Sequence, residues 1–265
     1  MKNKKIAIIG CGNLGLSILN GLLDQQSIKP SNIIVTRRNI NALEHLKETG
    51  IGLSDDNASA INESEIIIVA LKPYNILEVL KELNTLFVPK KHILVSLATG
   101  ISLVQIQNII TVTIPVFRAM PNTAADVGMS MTCISSKTTD IEATESVQHC
   151  FNSIGETIII DEELMDAATV LGACGIAYVL RFIRGMIQGG IQIGFDAKIA
   201  SDIVTHTVKG AAELLIKRNE HPEFEIDKVT TPKGCTIAGL NEMEHNGFSS
   251  ALIKGIVTSF EKIEK

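Results

Sequence analysis

The stretch Lys5-Ile-Ala-Ile-Ile-Gly10-Cys-Gly-Asn-Leu-Gly15-Leu-Ser-Ile-Leu-Asn20 decides the fold. Lys5–Ile9 is a short β-branched run and predicts a strand, and Leu14–Gln26 is amphipathic at helical spacing and predicts a helix. Between them Gly10-Cys11-Gly12-Asn13-Leu14-Gly15 has the form G-x-G-x-x-G, a weak signal alone but a specific one between strand and helix. Gly10 permits the tight turn, Gly12 lets the backbone approach a pyrophosphate, and Gly15 allows the helix to lie close on the sheet. The helix N-terminus adds unpaired amides and the positive end of its dipole. Ile9, Gly10, Cys11, Gly12, Asn13 and Leu14 are therefore candidate dinucleotide contacts.

Outward from this unit the alternation repeats. Asn32–Thr36, Glu65–Leu71, His92–Leu97 and Val112–Phe117 read as further strands, with helical patterns at Ile40–Thr49, Asn75–Leu86 and Leu103–Ile109. Near-continuous apolar strands such as Ile66-Ile-Ile-Val-Ala70 suit a sheet covered on both faces, and strand–helix alternation implies parallel crossovers. The fold class is α/β: a doubly wound Rossmann domain over residues 1–160, then an all-α domain over 161–265. That second half carries helical patterns at Leu164–Met186, Asp196–Lys217, Thr236–His245 and Ser249–Lys265. Small residues gather on its faces (Gly172, Ala173, Gly175, Ala177, Gly185, Gly189), which suits either tight packing within one subunit or a dimer interface. A homodimer, or a higher homo-oligomer built from dimers, is expected.

The chain of 265 residues is 45% hydrophobic and 20% charged, with a formal net charge of −5, two Tyr and no Trp. An acidic, aromatic-poor protein is poorly suited to phosphate neutralisation and base stacking, so no nucleic-acid partner is expected. Five cysteines at 11, 133, 150, 174 and 235 fit neither a zinc ribbon nor a disulfide scaffold, and a reducing, cytoplasmic location is expected. The basic start Met1–Lys5 before an apolar run mimics a signal peptide, but Gly10, Gly12, Asn13, Gly15 and Asn20 interrupt it and no small-residue cleavage site follows. Ala167–Leu180 stops at Arg181, short of the roughly 20 residues a bilayer requires, so no membrane partner is expected. No metal is expected either, because the histidines at 45, 92, 149, 206, 221 and 245 show no ligand spacing.

The second strand ends Ile33-Ile-Val-Thr36-Arg37-Arg38, where an Asp or Glu would accept the 2′-hydroxyl of NAD. Two guanidiniums there suit a 2′-phosphate, with Thr36 adding a hydroxyl, so NADPH is favoured and NADH binds more weakly. The same pair also reads as a solvated helix start. Leu71-Lys72-Pro73 and Ala98-Thr99-Gly100 close the next two strands, at the carboxyl edge where ligands of doubly wound folds sit. Lys72 reads equally as a surface lysine before a Pro-started helix. Thr230-Thr231-Pro232-Lys233-Gly234-Cys235-Thr236 gathers hydroxyls, a stiff turn and a helix start, either a carboxylate cradle or a well-capped helix.

The whole chain resembles the pyrroline-5-carboxylate reductases. The resemblance rests on Gly10–Leu14, Leu71-Lys-Pro73, Arg118-Ala-Met-Pro-Asn-Thr123, Asp166-Ala167, Gly175-Ile-Ala-Tyr178, and Asp227–Gly239 with Leu240–Glu244 and Gly247-Phe248. It implies NAD(P)H-dependent reduction of the cyclic imine L-1-pyrroline-5-carboxylate to L-proline by a homodimer. It places the substrate carboxylate at the loop of Thr231, Gly234, Cys235 and Thr236, with the Thr236 hydroxyl, the catalytic candidate, near the ring nitrogen; Lys233, where the family pattern has glycine, is a further candidate that would add a positive charge to that cradle. Met120, Pro121 and Asn122 are further substrate candidates; Asn57 matches an adenosine-side position, and Leu71, Lys72, Pro73, Ala98, Thr99 and Gly100 match nicotinamide-side positions. The family pattern S-G-S-G-P-A-Y stands here as Gly172-Ala-Cys-Gly-Ile-Ala-Tyr178, and S-P-G-G-T-T as Thr231-Pro-Lys-Gly-Cys-Thr236. Two rival readings remain, a β-hydroxyacid dehydrogenase and a non-catalytic NADP-sensing protein.

Overall fold

The computed structural model describes residues 4–26 and 28–263. Met1–Asn3 of the basic start, and the last two residues of the expected helix Ser249–Lys265, lie outside them. The described residues divide into two compact units, one running to Ile176 and including the chain from Phe260 onward, the other Ala177–Ser259.

The first unit is built on β1 (Ile6–Ile9), α1 (Asn13–Asp24), β2 (Ile33–Thr36), β3 (Gly52–Ser54), α2 (Asn57–Asn62), β4 (Ile66–Val69), α3 (Pro73–Leu83), β5 (Ile93–Ser96), α4 (Leu103–Gln107) and β6 (Val116–Met120). Beyond them lie β7 (Ser130–Ser136), α5 (Ile141–Asn152), β8 (Gly155–Ile159) and α6 (Met165–Ala168). The strands form one sheet in the order β3-β2-β1-β4-β5-β6-β7-β8. Its first six strands are mutually parallel, while β7 pairs antiparallel with β6 and parallel with β8. Every residue of β1, β2, β4, β5 and β6 is buried. Alternate residues of β1 feed different layers: Ile6 and Ile8 join Ile18, Leu19 and Leu22 of α1, whereas Ala7 and Ile9 join Ile76 and Leu80 of α3. A period of two with both faces apolar is the pattern a covered parallel sheet demands.

Several expectations shift. Val112–Phe117 is displaced to Val116–Met120 because Pro115 has no N–H for the ladder, so the strand begins after it. Ile40–Thr49 forms 3₁₀ turns instead of an α-helix: Asn39 gives no capping bond, and Gly50 at φ +84° ends the segment. The strands β3, β7 and β8 and the helix α5 carry no counterpart in the sequence reading. Gly155 opens β8 against β7 so closely that a Cβ would sit 1.9 Å from the Ser130 carbonyl oxygen.

From Glu162 the chain is helical to Gln192: a 3₁₀ turn, α6, a π-helical turn Thr169–Cys174, and α7 (Gly175–Gln192). The π turn interrupts what reads as one regular helix; the Gly172 carbonyl within it accepts the Asn122 side-chain amide at 3.1 Å. The run is 31 residues long, an 18-residue stretch of it has a mean hydropathy of 1.6, and it could span a membrane by length and composition alone. The helix extends to Gln192, past the Met186 where the sequence pattern ends it, while the uncharged apolar run within it stops at Arg181 as read.

The second unit comprises most of α7, then α8 (Ala197–Arg218), α9 (Pro222–Val229), α10 (Cys235–His245) and most of α11 (Phe248–Ile263). Tyr178 Oη donates to Ser259 Oγ at 2.6 Å, and Phe182 stacks on Phe248 with centroids 6.1 Å apart. At Gly190 the helices approach closely, a Cβ there falling 3.2 Å from that of Ala200. Yet Ala200 and Val204 are the buried apolar residues of this unit among those described, while Leu180, Ile193, Ile203, Ile216, Leu252 and Ile253 stand about half exposed or more. Helices that leave this much apolar surface uncovered need a second surface to close them.

A Cβ added at Gly185 or Gly189 would meet no atom of the same chain within 4 Å. Gly185→Leu therefore leaves the single chain unstrained and acts on whatever covers α7. Light scattering is expected to give at least a dimer for the parent, and Gly185→Leu to weaken association by roughly 1–3 kcal/mol through overpacking. A fully stable parent monomer would refute the covering of this face by a second copy.

Candidate active site

All six parallel strands end at one edge of the sheet, and the candidate cofactor residues stand along it. After Ile9 the chain turns through Gly10 at φ +87°, where a Cβ would sit 2.4 Å from Leu71 Cδ2. The amides of Gly10 and Cys11 donate to the Thr36 carbonyl at 3.2 and 2.7 Å, and that of Gly12 donates to the Gly10 carbonyl at 2.7 Å. These bonds fold the loop onto β2 and use up its own donors. Gly12 is the N-cap of α1 without a side-chain bond, no acidic residue stands in the first turn, and a Cβ on it would meet nothing within 4 Å. The first amides of α1, on Asn13, Leu14 and Gly15, have no side-chain cap, and with open space at Gly12 they make an anion seat of the kind a pyrophosphate takes.

The corner after β2 differs from expectation in one respect. Thr36 is 1% exposed, and its hydroxyl donates to Asn57 Oδ1 at 2.6 Å while accepting the Gly10 amide at 3.3 Å. Thr36 is committed to holding the loop and Asn57 together and has no hydroxyl to spare for a phosphate. Arg37 Nη1 donates to the Cys11 carbonyl at 3.3 Å, and Arg38 is exposed. Among the described residues neither guanidinium pairs with a carboxylate. Burial pushes the Cys11 thiol up to about 11, against a smaller opposing pull from Arg37, so it remains a neutral filler under the loop.

Farther along the edge, Lys72 is the exposed N-cap of α3 with Pro73 in its first turn and no capping bond. Ala98 is buried, its amide held by Ser96 Oγ at 3.3 Å, while Thr99 is half-buried and Gly100 is exposed at φ +71° with open space at its Cβ. Met120, Pro121 and Asn122 close β6 and are buried. Asn122 Oδ1 accepts the Ala124 amide and Nδ2 donates to Gly172, so this side chain is structural. Glu162, on which the sequence reading is silent, accepts the Leu103 amide behind the Ala98–Gly100 segment. No local pattern marks it, because its partners lie far away in sequence.

In the second unit, Thr231-Pro232-Lys233-Gly234 forms a β-turn closed by Gly234 N–H to the Thr231 carbonyl at 2.9 Å. Lys233 occupies the left-handed position at φ +61°, where glycine is favoured. Gly234 is the N-cap of α10 without a side-chain bond, and its missing Cβ would lie 2.5 Å from Thr231 Oγ1. Cys235 and Thr236, both exposed, open the helix, so Thr236 is not the helix cap.

A parallel sheet whose carboxyl edge presents an uncapped glycine-led helix beside two guanidiniums without carboxylate partners is that of a dinucleotide-binding protein of the doubly wound class. Residues 162–265 match the family described as pyrroline-5-carboxylate reductase dimerisation, and residues 5–100 match NADP oxidoreductase coenzyme F420-dependent. The chain is 44% identical to pyrroline-5-carboxylate reductase 2 of Dictyostelium discoideum over 99% of its length and 93% of that relative. It is 43% identical to pyrroline-5-carboxylate reductase 1 of the same organism over 97% of its length, spanning 49% of that longer relative. A crystal structure of Plasmodium falciparum pyrroline carboxylate reductase with NADP bound superposes with a TM-score of 0.90 at 26% identity, over 99% of this chain and 98% of that one. The chain belongs to the pyrroline-5-carboxylate reductase family.

The two leading glycines are expected to fail differently. Gly10→Ala forces a left-handed backbone and a clash with Leu71, costing about 1–3 kcal/mol in denaturant melts. Gly12→Ala meets open space and changes stability by less than about 1 kcal/mol. Equal stability losses in both variants would contradict this geometry.

Proposed function

We propose that this chain catalyses the NADPH-dependent reduction of L-1-pyrroline-5-carboxylate to L-proline. Family membership along the whole chain carries the reading. The residues fit the cofactor: the uncapped α1 with open space at Gly12 suits a pyrophosphate, and β2 ends in Arg37-Arg38 with no carboxylate. When bound, the reduced nicotinamide supplies a hydride to the C=N carbon, and the ring nitrogen ends as the amine of proline. The chain's own part is to bind and orient. The amides of Asn13 and Leu14 hold the pyrophosphate, Arg37 and Arg38 fork onto the 2′-phosphate, and Asn57, fixed by Thr36, lies on the adenosine side. Leu71, Lys72, Pro73, Ala98, Thr99 and Gly100 line the nicotinamide side, with Met120 and Pro121 as the apolar floor of that edge and Asn122 bracing it.

On the substrate side, the free amides of Cys235 and Thr236 with the Thr231 hydroxyl take the carboxylate, and the Thr236 hydroxyl holds the proton on the imine nitrogen. Lys233 adds a positive charge to this cradle. Residues 1–160 carry the cofactor, and 161–265 carry the substrate loop and the homodimer contact that closes the exposed helices. All five cysteines are free, as a reducing cytoplasm would keep them.

NADPH oxidation by the purified protein is expected only when pyrroline-5-carboxylate is present; turnover of 3-hydroxy acids instead would favour the dehydrogenase reading. Arg37→Ala and Arg38→Ala should each weaken NADPH by about one to two decades, the worth of a charge-assisted pair, and leave NADH nearly unchanged. Identical losses for both nucleotides would remove the 2′-phosphate assignment.

Lys233→Gly is expected to raise the KM for pyrroline-5-carboxylate by up to about tenfold at low salt, with NADPH affinity unchanged. Its thermal stability should not fall, since glycine relieves a left-handed strain of roughly 1–2 kcal/mol. A KM unaltered at every ionic strength would leave the carboxylate to Thr231 and the backbone amides.

A further inference from the structure

Behind the Ala98–Gly100 segment lies a cluster of charged groups that none of the roles above uses. Arg118, in the middle of β6, is 5% exposed. Its Nη1 lies 3.5 Å from Glu162 Oε1 and its Nη2 3.3 Å from Asp166 Oδ1, while Lys137 Nζ lies 3.8 Å from Glu162 Oε2. Glu162 opens the helical run that follows the last strand, and the same Oε1 that meets Arg118 also accepts the Leu103 backbone amide.

Leu103 is the first residue of α4, and α4 is entered directly from the segment 97–102. Ser102 and Gln105 form a reciprocal capping box that satisfies the Ser102 and Gln105 amides. Neither partner of that box reaches the Leu103 amide, and Glu162 takes it. At the other end of the segment Ser96 Oγ holds the Ala98 amide, and Ser96 is the register partner of Arg118 on β6. The segment is thus pinned at both ends, while Thr99 and Gly100 between the pins are less buried and Gly100 faces open space. A carboxylate held in place by a buried guanidinium is a stiff anchor, because moving it would strand the Arg118 charge.

We propose that Glu162 is a positioning residue for the reaction, holding the Ala98–Gly100 segment at the height the nicotinamide needs by gripping the Leu103 amide, with Arg118 fixing Glu162. This rests on the reading of 98–100 as nicotinamide-side contacts. Two conservative variants separate the grip from the charge. Glu162→Asp keeps the charge but draws the carboxylate back from the Leu103 amide and Arg118, which share Oε1; Glu162→Gln keeps the reach and an acceptor oxygen but removes the charge.

Three readouts are compared on the full-length protein: hydrogen exchange at residues 98–103 without nucleotide, titration with NADPH, and titration with 2′,5′-ADP, which carries the adenosine half alone. Binding of both probes to the parent establishes the cofactor reading before any variant is compared. Glu162→Asp should lose about tenfold in Leu103 amide protection and about tenfold in NADPH affinity, the scale of one lost charge-assisted hydrogen bond. Its 2′,5′-ADP affinity should be unchanged, and Glu162→Gln, which keeps an acceptor within reach of Leu103 but loses the charge that Arg118 fixes, should lose clearly less protection and less NADPH affinity than Glu162→Asp. The reverse pattern, Gln impaired and Asp normal, would show that Glu162 serves only as a buried charge and would overturn the proposal. Unchanged protection in Glu162→Asp overturns the grip itself. Lost protection with unchanged NADPH binding overturns the nicotinamide-side reading of 98–100 and the positioning role with it.

Discussion

The turn after β1 depends on one acceptor, the carbonyl oxygen of Thr36, which receives the amides of both Gly10 and Cys11. Without that tie the glycine loop would have to satisfy its donors by continuing as regular structure, and α1 could not begin where it does. With it the loop is folded down on β2, its own amides are spent, and the next amides in the chain are left pointing outward. The side chain of the same threonine spans Gly10 and Asn57, so β1, β2 and α2 meet at one buried residue. A phosphate-facing role for Thr36 would require withdrawing it from that junction. Burial of a hydroxyl bonded on both sides makes this costly, at about 1–3 kcal/mol for each partner left unsatisfied.

The second unit poses the opposite problem, too much apolar surface and too little core. Composition alone cannot separate a bilayer from a second protein surface as the cover for the run Glu162–Gln192. Two arginines do favour one. Arg181 and Arg184 lie within its second half, and each charge at the centre of a bilayer would cost about 2.5–3.5 kcal/mol on an insertion scale. A protein partner leaves room for both at the rim, where their stems can pack and their heads stay wet. The match of residues 162–265 to a dimerisation family agrees with cover by a second copy.

What the sequence made legible follows from the range of the interactions involved. The fingerprint, the buried strands and the change to helical period near residue 160 are local patterns, and each is found in the structure within a few residues. β3 has three residues, too few to show a period, and β7 reads Ser-Met-Thr-Cys-Ile-Ser-Ser, a polar strand whose burial alternates. α5 was readable in principle: Asp140 caps it, and Ala143, Val147, Cys150 and Phe151 are spaced as one buried face. The bond between Thr36 and Asn57 and the grip of Glu162 on Leu103 were not readable. Both join residues far apart in sequence, and only the folded sheet brings them together.

The helix starts divide in a way that bears on the site. α2, α4, α5, α8 and α9 are closed by the side chains of Asp56, Ser102, Asp140, Asp196 and His221. α1, α3 and α10 begin after Gly12, Lys72 and Gly234 and have no such bond. A side-chain cap is worth about 1 kcal/mol against alanine and a few tenths against glycine, so these bare starts represent a modest stability left unclaimed in a chain that caps five other helices. An aspartate at Gly12, where a Cβ meets nothing, would recover part of it, and would also fill the anion seat with the protein's own carboxylate and repel the ligand's charge; at Gly234 the Thr231 hydroxyl leaves no room for a Cβ. α6 also lacks a side-chain cap but continues from a 3₁₀ turn, whereas the starts of α1, α3 and α10 stand next to the candidate nucleotide and substrate residues. Their amides and dipoles are therefore available to bound anions, and the cap each helix lacks is the group that binding would supply.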